Sequence, residues 1–391
     1  MTVTVALDSW VTAHEPSLVD VRRALHERPE LGRHEHETTA LLIAQLTAAG
    51  LAPKPLAGGT GVVCDIGSGE SFVVLRADID ALPLQDEKAA PYRSKVDGVC
   101  HACGHDVHTA VVLGAGLFLA GQQLPGRVRL VFQHAEEQMP GGAIDVIEQG
   151  LLDGASAIFG LHCDPSLAVG HVGLKSGPIT AAADAVEVRI SGPGGHTSRP
   201  HNTVDVVHVL STVATGLPDA LSRLVDPRAG VCMVWGHVAA GTVHNAIPRE
   251  GVLAGTLRML DKTIWEQAPE LVARLVQQFV APYGAVATVT YERGVPPVVN
   301  DAAATALLTA AVVSSLGPAA AVPTQQSLGG EDFAWYLEQV PGAMARLGVR
   351  GPAVEQVLDL HQPTFDVDEA CIGVGVRVLV TAALAALSAG S

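Results

Sequence analysis

The chain is short of positive charge. It has 24 lysine and arginine residues against 40 aspartate and glutamate residues, which gives a formal net charge of -16 over 391 residues. A protein that binds nucleic acid neutralises phosphates with a surplus of basic side chains. The charge balance therefore argues against a nucleic-acid partner.

Signals for export and membrane insertion are also lacking. The N-terminal stretch MTVTVALDSWVTAHEP has neither the basic start nor the continuous apolar run of a signal peptide. The C-terminal stretch CIGVGVRVLVTAALAALSAG is apolar, but Arg377 interrupts it and small residues dominate. It predicts a packed helix rather than a membrane span. We expect a soluble cytoplasmic protein that inserts into no membrane.

Cysteine is scarce as well. Six cysteines are scattered along the chain without a secretion signal, so a disulfide framework is not expected. What the chain does have is apolar surface: 48% of its residues are hydrophobic and 16% are charged. Such a composition can bury enough area to offset the conformational entropy of folding. The length favours two domains.

Short runs rich in Val, Ile and Leu alternate with longer stretches of helical spacing, which indicates an α/β layered domain. Three of these runs lead directly into polar clusters, which read RADID, QHAEE and LHCDP. In an open α/β sheet, ligands collect at the carboxyl ends of the strands. We therefore expect the three clusters to converge on one crevice.

The pattern of predicted strands and helices changes from about Ala181. The runs that follow predict the order β-α-β-β-α-β, which is typical of a ferredoxin-like module. An α/β alternation then resumes near Pro296. We predict a catalytic domain formed by residues 1–180 and 293–391, with an inserted domain over residues 181–292, which is an ordinary domain size.

The segment CHACGHDVH contains two cysteines and three histidines. Within it, Cys103 and His105 offer a thiolate and an imidazole two positions apart, and both suit zinc-like metals. The alternative is that Cys100 and Cys103 form a redox pair or half of a structural zinc site. A structural zinc site normally needs a second pair of ligands nearby, and the sequence has none. The segment therefore favours a catalytic metal site.

Three further clusters carry possible ligands. Glu136 and Glu137 follow an apolar run, although a Glu-Glu pair alone is usually a solvated turn. His162 and His361 each close a short apolar run and precede a proline within three residues, which restricts the backbone there. Either histidine alone would more often be a buried histidine with its hydrogen bonds satisfied. Several such clusters in one chain favour a shared metal site.

The motifs that carry a family resemblance occur in one order: RADIDALP, HACGHDVHTA, AEE, GLHCDP, GGHTSRPH, NAIP, GTLR, GGEDF and LHQPTF. Together they resemble the aminoacylase and carboxypeptidase metallopeptidase family over nearly the whole chain. The similarity is to its amidohydrolase branch, which contains hippurate hydrolases, N-acetyldiaminopimelate deacetylases and auxin-conjugate hydrolases. It implies a di-metal aminopeptidase-like catalytic domain with an inserted ferredoxin-like lid and dimerisation domain.

The resemblance implies hydrolysis of the amide bond of an N-acyl amino acid by a metal-bound water. Glu136 would be the general base and acid, and Asp80 would orient a ligand. Two divalent ions are implied, with zinc or manganese favoured over cobalt or nickel. The implied metal ligands are Cys103, His105, Glu137, His162 and His361.

The resemblance also assigns roles to later motifs. His196 would stabilise the oxyanion in the neighbouring subunit of a homodimer that forms through the lid domain. Asn245 and Arg258 would hold the substrate carboxylate, which suits guanidinium geometry. Gly330 would let the backbone approach the substrate, although GGED is equally typical of an ordinary helix start.

Two residues depart from the family pattern. Cys100 stands where relatives usually have methionine, and His134 stands where they usually have proline. None of the implied ligands is altered, so a non-catalytic binding protein with the same fold is disfavoured. A carboxypeptidase or dipeptidase that uses the same two metals remains the alternative activity.

Overall fold

The computed structural model describes residues 3–352 and 357–389. In this part of the chain the α-helices are, in chain order, α1 (Val3–Glu27), α2 (His36–Ala48), α3 (His105–Ala120), α4 (Ala143–Glu148), α5 (Val206–Leu224), α6 (Lys262–Val280), α7 (Ala302–Leu316), α8 (Phe333–Leu337) and α9 (Ala370–Ala389).

The strands over the same residues are, in chain order, β1 (Lys54–Pro55), β2 (Val62–Gly67), β3 (Phe72–Asp78), β4 (Arg127–Gln133), β5 (Ala155–Ala168), β6 (Val172–Leu174), β7 (Gly177–Pro178), β8 (Ala182–Ser191), β9 (Gly195–His196), β10 (Cys232–Ala240), β11 (Ala246–Ile247), β12 (Glu250–Met259), β13 (Val286–Val295), β14 (Val299–Asn300), β15 (Ala321–Pro323) and β16 (Gly342–Arg350).

The chain divides into two compact units. Unit 2 consists of Pro178–Val298 and the short segment Gln326–Glu331, and unit 1 contains the rest. The sequence analysis gives the inserted domain as residues 181–292 and assigns the GGED segment to the catalytic domain. By its contacts, Gln326–Glu331 instead belongs to unit 2. Ser327 explains part of this placement, since its backbone N–H donates to the carbonyl of Ile179.

Unit 1 is built on a mixed sheet with strand order β1-β2-β4-β3-β5-β16-β6-β15. At its centre, β3 runs parallel to β4 and to β5, and β16 runs parallel to β5. Every residue of β3 is buried, as expected of a central strand that is covered on both faces. The carboxyl ends of β3, β4 and β5 consequently lie at one edge of the sheet.

Two apolar helices belong to the core of unit 1. Helix α3 is buried along almost its whole length. Helix α9 is long and apolar enough to cross a membrane by length and composition, yet most of it is buried inside the protein. It packs against α1, α3 and α7 and against strands of the large sheet. The expected packed helix at this end of the chain is what the structure shows.

Unit 2 contains a four-stranded antiparallel sheet with strand order β10-β12-β8-β13. Its main elements follow the chain order strand, helix, two strands, helix, strand. Helix α5 buries one face, because its buried residues recur at helical spacing: Val206, Val209, Leu210, Val213, Leu217 and Leu221. Strand β10 is an edge of this sheet.

Candidate metal centre

The site in unit 1 begins at the ends of β3 and β4. Asp78 closes β3 and pairs in register with Gln133, which closes β4. Just beyond these ends, the backbone N–H of Glu137 donates to Oδ2 of Asp80 at 3.0 Å. The RADID and QHAEE clusters therefore meet at one edge of the sheet, because parallel neighbouring strands end on the same side.

Helix α3 brings the CHACGHDVH segment to the same edge. It begins at His105, and the preceding Gly104 has a φ of 84°. A Cβ at this glycine would lie 2.7 Å from Sγ of Cys163 on β5. Glycine is required here for two reasons: the left-handed backbone and the close approach of the loop to the strand.

His162 lies within β5 rather than at the end of it. The sequence analysis has this histidine closing its apolar run, but the strand continues to Ala168. Pairing between β5 and β3 stops at Arg76 and Gly160, so His162 lies just past the last paired residues of the two strands. Its Nδ1–H donates to the carbonyl of Cys163 at 2.9 Å, and Nε2 lies 3.6 Å from Sγ of Cys103. Burial holds the pKa of His162 well below its usual value, which favours the neutral imidazole.

His361 reaches the site from a loop. Its backbone is in the left-handed region with a φ of 61°, and its N–H donates to the carbonyl of Ala102 at 2.8 Å. Nε2 of His361 lies 3.3 Å from Oε1 of Glu137, and the side chain is 52% exposed. The loop thus adds a donor from the solvent side of the cluster.

The donor atoms form overlapping groups whose members all lie within 4.8 Å of one another. These groups are Cys103, His105 and His162; Cys103, Glu137 and His361; and His105, Glu136 and Glu137. Two of the donor atoms, Nε2 of His105 and Oε1 of Glu137, are buried without a hydrogen-bond partner among the residues that the structure describes. Buried polar atoms are normally satisfied. Unsatisfied imidazole and carboxylate atoms that face each other at 3.9 Å fit a bound cation.

The charges around the cluster also favour a cation. Burial lowers the pKa of His105, but Asp78, Asp80 and Glu137 outweigh it and raise that pKa to about 10. Nδ1 of His105 donates to the carbonyl of Asp80 at 2.9 Å, which directs Nε2 into the cluster. Carboxylates that surround a buried imidazole in this way make a site where positive charge is stabilised.

A chain of hydrogen bonds supports the cluster from behind. Nδ1 of His108 donates to Asp78 at 2.5 Å, and Nε2 of His108 accepts from the backbone N–H of Cys163 at 2.9 Å. The backbone of Cys163 is therefore held at its N–H by His108 and at its carbonyl by His162. Arg76 donates to the far oxygen of Asp78 at 2.8 Å.

The sequence indicates no role for His108 beyond support of a neighbouring residue, and it does not single out Arg76. A signal for both was present in the spacing. His108 lies three residues after His105, on the same side of a helix, and Arg76 lies two residues before Asp78, on the same side of a strand.

The six cysteines are all free thiols. Burial raises the pKa of Cys100 to about 11, so its thiol is not a ready nucleophile. This environment does not suit the alternative of a redox pair formed by Cys100 and Cys103.

The remaining predicted site residues belong to unit 2. His196 and Asn245 are exposed, and Arg258 and Gly330 are half-buried. Nδ1 of His196 accepts from the backbone N–H of Ser198 at 3.1 Å, so its ring proton resides on Nε2. Arg258 donates to the carbonyl of Leu328 at 2.6 Å. Within unit 2 these residues have local partners, and their roles toward a substrate remain predictions.

Comparison with known proteins identifies the family. Residues 74–385 match the model of peptidase family M20/M25/M40. The chain is 41% identical over 363 residues to the N-acetyl-L-cysteine deacetylase of Bacillus subtilis, a match that covers 92% of this chain and 85% of that protein. Among solved structures, it is similar to the Bacillus subtilis YxeP protein, described as a dinuclear metal-binding peptidase of the M20 family. The identity is 35%, the TM-score is 0.85, and the match covers 96% of this chain and 99% of that one.

A longer relative also matches. Over 369 residues the chain is 49% identical to a Rhodococcus jostii protein that carries the name glutamate–cysteine ligase 2-3, and the match covers 94% of this chain. The chain spans 46% of the length of that relative.

The chain belongs to peptidase family M20/M25/M40. The predicted family and the predicted class of metal-dependent amidohydrolase are confirmed.

Proposed function

We propose that this protein hydrolyses the amide bond of N-acyl amino acids at a site that holds two divalent metal ions. The observation that carries the proposal is the donor cluster of unit 1, where Nε2 of His105 and Oε1 of Glu137 are buried without hydrogen-bond partners in the described part of the chain. The proposed ligands are those that the sequence indicates: Cys103, His105, Glu137, His162 and His361.

The donor set fits two ions. Cys103 belongs to two of the overlapping groups, one with His105 and His162 and the other with Glu137 and His361. Thiolate, imidazole and carboxylate ligands suit zinc and other first-row ions, and the cluster supplies all three. The YxeP protein, described as dinuclear, supports the count of two ions.

Bound ions would lower the pKa of a water molecule and polarise the amide carbonyl. Glu136 is proposed as the general base and acid, because Oε2 of its carboxylate lies 3.8 Å from Nε2 of His105, beside the ligand cluster. It would accept a proton from the attacking water and return it to the leaving amine, which yields a carboxylic acid and a free amino acid. The carboxylate of Asp80 accepts from the backbone N–H of Glu137, and the backbone carbonyl of Asp80 accepts from Nδ1–H of His105, so Asp80 would orient both ligands.

The residues of unit 2 would complete the site. Since the ring proton of His196 resides on Nε2, this nitrogen can donate to a developing oxyanion. Asn245 and Arg258 are proposed to bind the substrate carboxylate, and Gly330 to lie beside the substrate. A lid role for unit 2 is part of this proposal.

A homodimer through unit 2 is proposed as well. Edge strand β10 exposes Val234 and Val238, each more than half accessible to solvent. Exposed apolar edge strands readily pair with another strand, and a second copy of β10 is the proposed partner. Replacing Val234 with lysine is expected to shift the protein to monomers in sedimentation experiments. Val286 to lysine, on the opposite edge strand, is the matched control.

The substrate class is inferred from the relatives. Bacillus subtilis N-acetyl-L-cysteine deacetylase removes an acyl group from an amino acid by its name, which makes N-acetylcysteine the first substrate to test. A hydrophobic pocket discriminates weakly between acyl groups that differ by one methylene, so a panel of acyl groups is needed.

The test is hydrolysis of N-acetylcysteine, other N-acetyl amino acids, hippurate, N-acetyldiaminopimelate, an auxin conjugate and dipeptides by the purified protein. Metal is removed with a chelator and then restored. Glu136→Gln keeps the shape of the base and removes its charge, and Glu148→Gln, an exposed position on α4, is the matched control.

The proposal expects metal-dependent release of one amino acid that Glu136→Gln abolishes and Glu148→Gln retains. Release of amino acids from dipeptides alone would establish the carboxypeptidase or dipeptidase alternative instead. Activity that survives complete metal removal would contradict the proposed chemistry.

A further inference from the structure

The backbone that carries Glu136 and Glu137 is held in an unusual conformation. We call residues 134–137 the catalytic turn. Within it, Ala135 has a φ of 54°, in the left-handed region that residues with a Cβ rarely adopt. Such a conformation persists only where surrounding contacts fix it. The contacts that fix the catalytic turn therefore contribute to where the two glutamates point.

The first of these contacts is the side chain of His134, which is 2% exposed. Nδ1 lies 2.9 Å from the carbonyl oxygen of Thr60, and Nε2 lies 2.7 Å from Oδ2 of Asp145. A carbonyl oxygen only accepts, and an ionised carboxylate only accepts. Each ring nitrogen of His134 thus faces an acceptor, and the two acceptors lie on different segments of unit 1.

Asp145 is suited to be an ionised acceptor. Burial raises its pKa, but hydrogen bonds from His134 and Arg33 outweigh burial and hold the pKa below its usual value. Arg33 donates to the same oxygen of Asp145 at 2.7 Å, from a side chain that is half exposed. His134 contributes the buried hydrogen bond to this carboxylate, and Arg33 the exposed one.

The imidazole ring of His134 is closely packed against Gly142. A Cβ at Gly142 would lie 2.6 Å from Cδ2 of His134 and 2.0 Å from its carbonyl oxygen. The N–H of Gly142 also donates to the carbonyl of Ala135 at 3.0 Å. On the other side, Glu35 accepts from the N–H of Ala135 at 2.8 Å. The catalytic turn is packed from several directions, and His134 is its side-chain connection to Thr60 and to α4.

We propose that His134 is a positioning residue: its hydrogen bonds to Thr60 and Asp145 fix the catalytic turn so that the carboxylates of Glu136 and Glu137 face the donor cluster. This inference rests on the proposed function, since Glu136 is the proposed base and Glu137 a proposed ligand. It assigns a function to a residue that departs from the family pattern. His134 acts through the turn and touches neither substrate nor metal.

Three replacements of His134 separate the two hydrogen bonds. An asparagine amide nitrogen takes the place of Nδ1 and retains the bond to Thr60, and a glutamine amide nitrogen takes the place of Nε2 and retains the bond to Asp145. His134→Leu retains neither. We expect kcat to fall by about ten- to a hundredfold in His134→Leu, because small displacements of reacting groups have effects of that size. KM should change little, and asparagine and glutamine should each restore part of the loss.

Asp145→Ala tests the pair directly. It should lower kcat in the wild type and in His134→Gln, and should have no further effect in His134→Asn, which has already lost the bond to Asp145. Arg33→Ala removes the other partner of Asp145 and should leave kcat close to that of the wild type. Additive losses in all backgrounds would contradict the proposal.

Val146→Ala is the control for a purely structural role of His134, because it creates a cavity on the buried face of α4. Val146→Ala should lower Tm and leave kcat unchanged. If His134→Leu lowers Tm without lowering kcat, or if Val146→Ala lowers kcat equally, His134 does not position the turn.

A second readout makes the inference independent of substrate. The absorption spectrum of cobalt(II) reports how its ligands are arranged, and it should change in His134→Leu and remain unchanged in Val146→Ala. If the wild type hydrolyses none of the panel, the proposed function fails and the cobalt spectrum alone decides about His134. A spectrum identical to that of the wild type would then overturn the inference.

Discussion

The two units present their candidate functional residues in opposite ways. In unit 1 the candidate ligands lie close together and most are buried, and two of their donor atoms have no hydrogen-bond partner within residues 3–352 and 357–389. In unit 2 the residues His196 and Asn245 are exposed, and Arg258 donates to a nearby carbonyl. Burial of an unsatisfied polar atom costs free energy, so it marks a place where a ligand belongs. An exposed side chain can form its hydrogen bonds with water, so its position alone does not indicate a ligand.

Because of this difference, the structure of a single chain marks the metal centre of unit 1 but not the substrate contacts of unit 2. The fold of unit 1 keeps its donor atoms together without help from a substrate. The residues of unit 2 acquire a role only through what they bind. Mutations in the two units should therefore separate metal binding from catalysis.

The largest effect is expected for Cys103→Ser in unit 1. It should remove metal binding and lower activity by more than the roughly 10–100-fold that loss of a supporting partner causes. The measurement is metal content by atomic emission, together with activity on the best substrate of the panel. Cys100→Ser is the matched control, and it should retain both metal and activity. Loss of activity in Cys100→Ser with normal metal content would favour a redox pair instead.

The next effect is expected in unit 2. His196→Ala should lower kcat by about 10²–10³-fold, which is typical of removing an oxyanion donor. Metal content should be unchanged, because His196 is not among the donor atoms of the cluster. His208→Ala, at another exposed histidine of unit 2 on α5, serves as the control. A loss of metal in His196→Ala would contradict the expectation that metal binding depends on residues of unit 1 alone.

A smaller effect on metal affinity is expected for His108→Leu. This change removes the hydrogen bonds to Asp78 and to the backbone of Cys163, so metal affinity should fall by roughly 10–100-fold. Competition with a chromophoric chelator measures the affinity. His171→Leu makes the same substitution at a half-buried position of unit 1 and should leave metal affinity unchanged. Unchanged affinity in His108→Leu would show that His162 needs no support from it.

The smallest effects concern stability. Asp301 caps α7 in unit 1 by accepting from the N–H of Ala304, and Asp261 caps α6 in unit 2 by accepting from the N–H of Ile264. Replacing either with alanine should cost about 1 kcal/mol. Calorimetry shows whether the two variants lower one shared transition or two separate ones. Two transitions, each sensitive to one variant, would mean that the units unfold independently.

Much of unit 1 was predictable because several of its candidate site residues come directly after strands in the sequence. The clusters at the ends of β3 and β4 are visible in the sequence, since apolar runs precede RADID and QHAEE directly. The position of His162 was wrong in detail, because nothing in the local pattern indicates that β5 continues past the end of β3. Strand length there depends on pairing with β16, which lies far away in the sequence.

The supporting residues were harder to predict. His134 departs from the family pattern, but its partners Thr60 and Asp145 are 74 and 11 residues away along the chain. Only the folded chain brings three such residues together. The segment Gln326–Glu331 was assigned to the wrong unit for the same reason, since its hydrogen bonds to Ile179 and Arg258 reach residues 70 or more positions earlier.

The order of the elements along the chain has a consequence for synthesis on the ribosome. The sheet of unit 1 lacks β15 and β16, and its core lacks α9, until the last part of the chain is made. Almost all of unit 2, in contrast, is one continuous segment that is complete at Val298. Domains fold as units during translation. The proposed set of metal ligands, of which His361 is the last in the chain, can therefore be complete only after unit 2 has emerged.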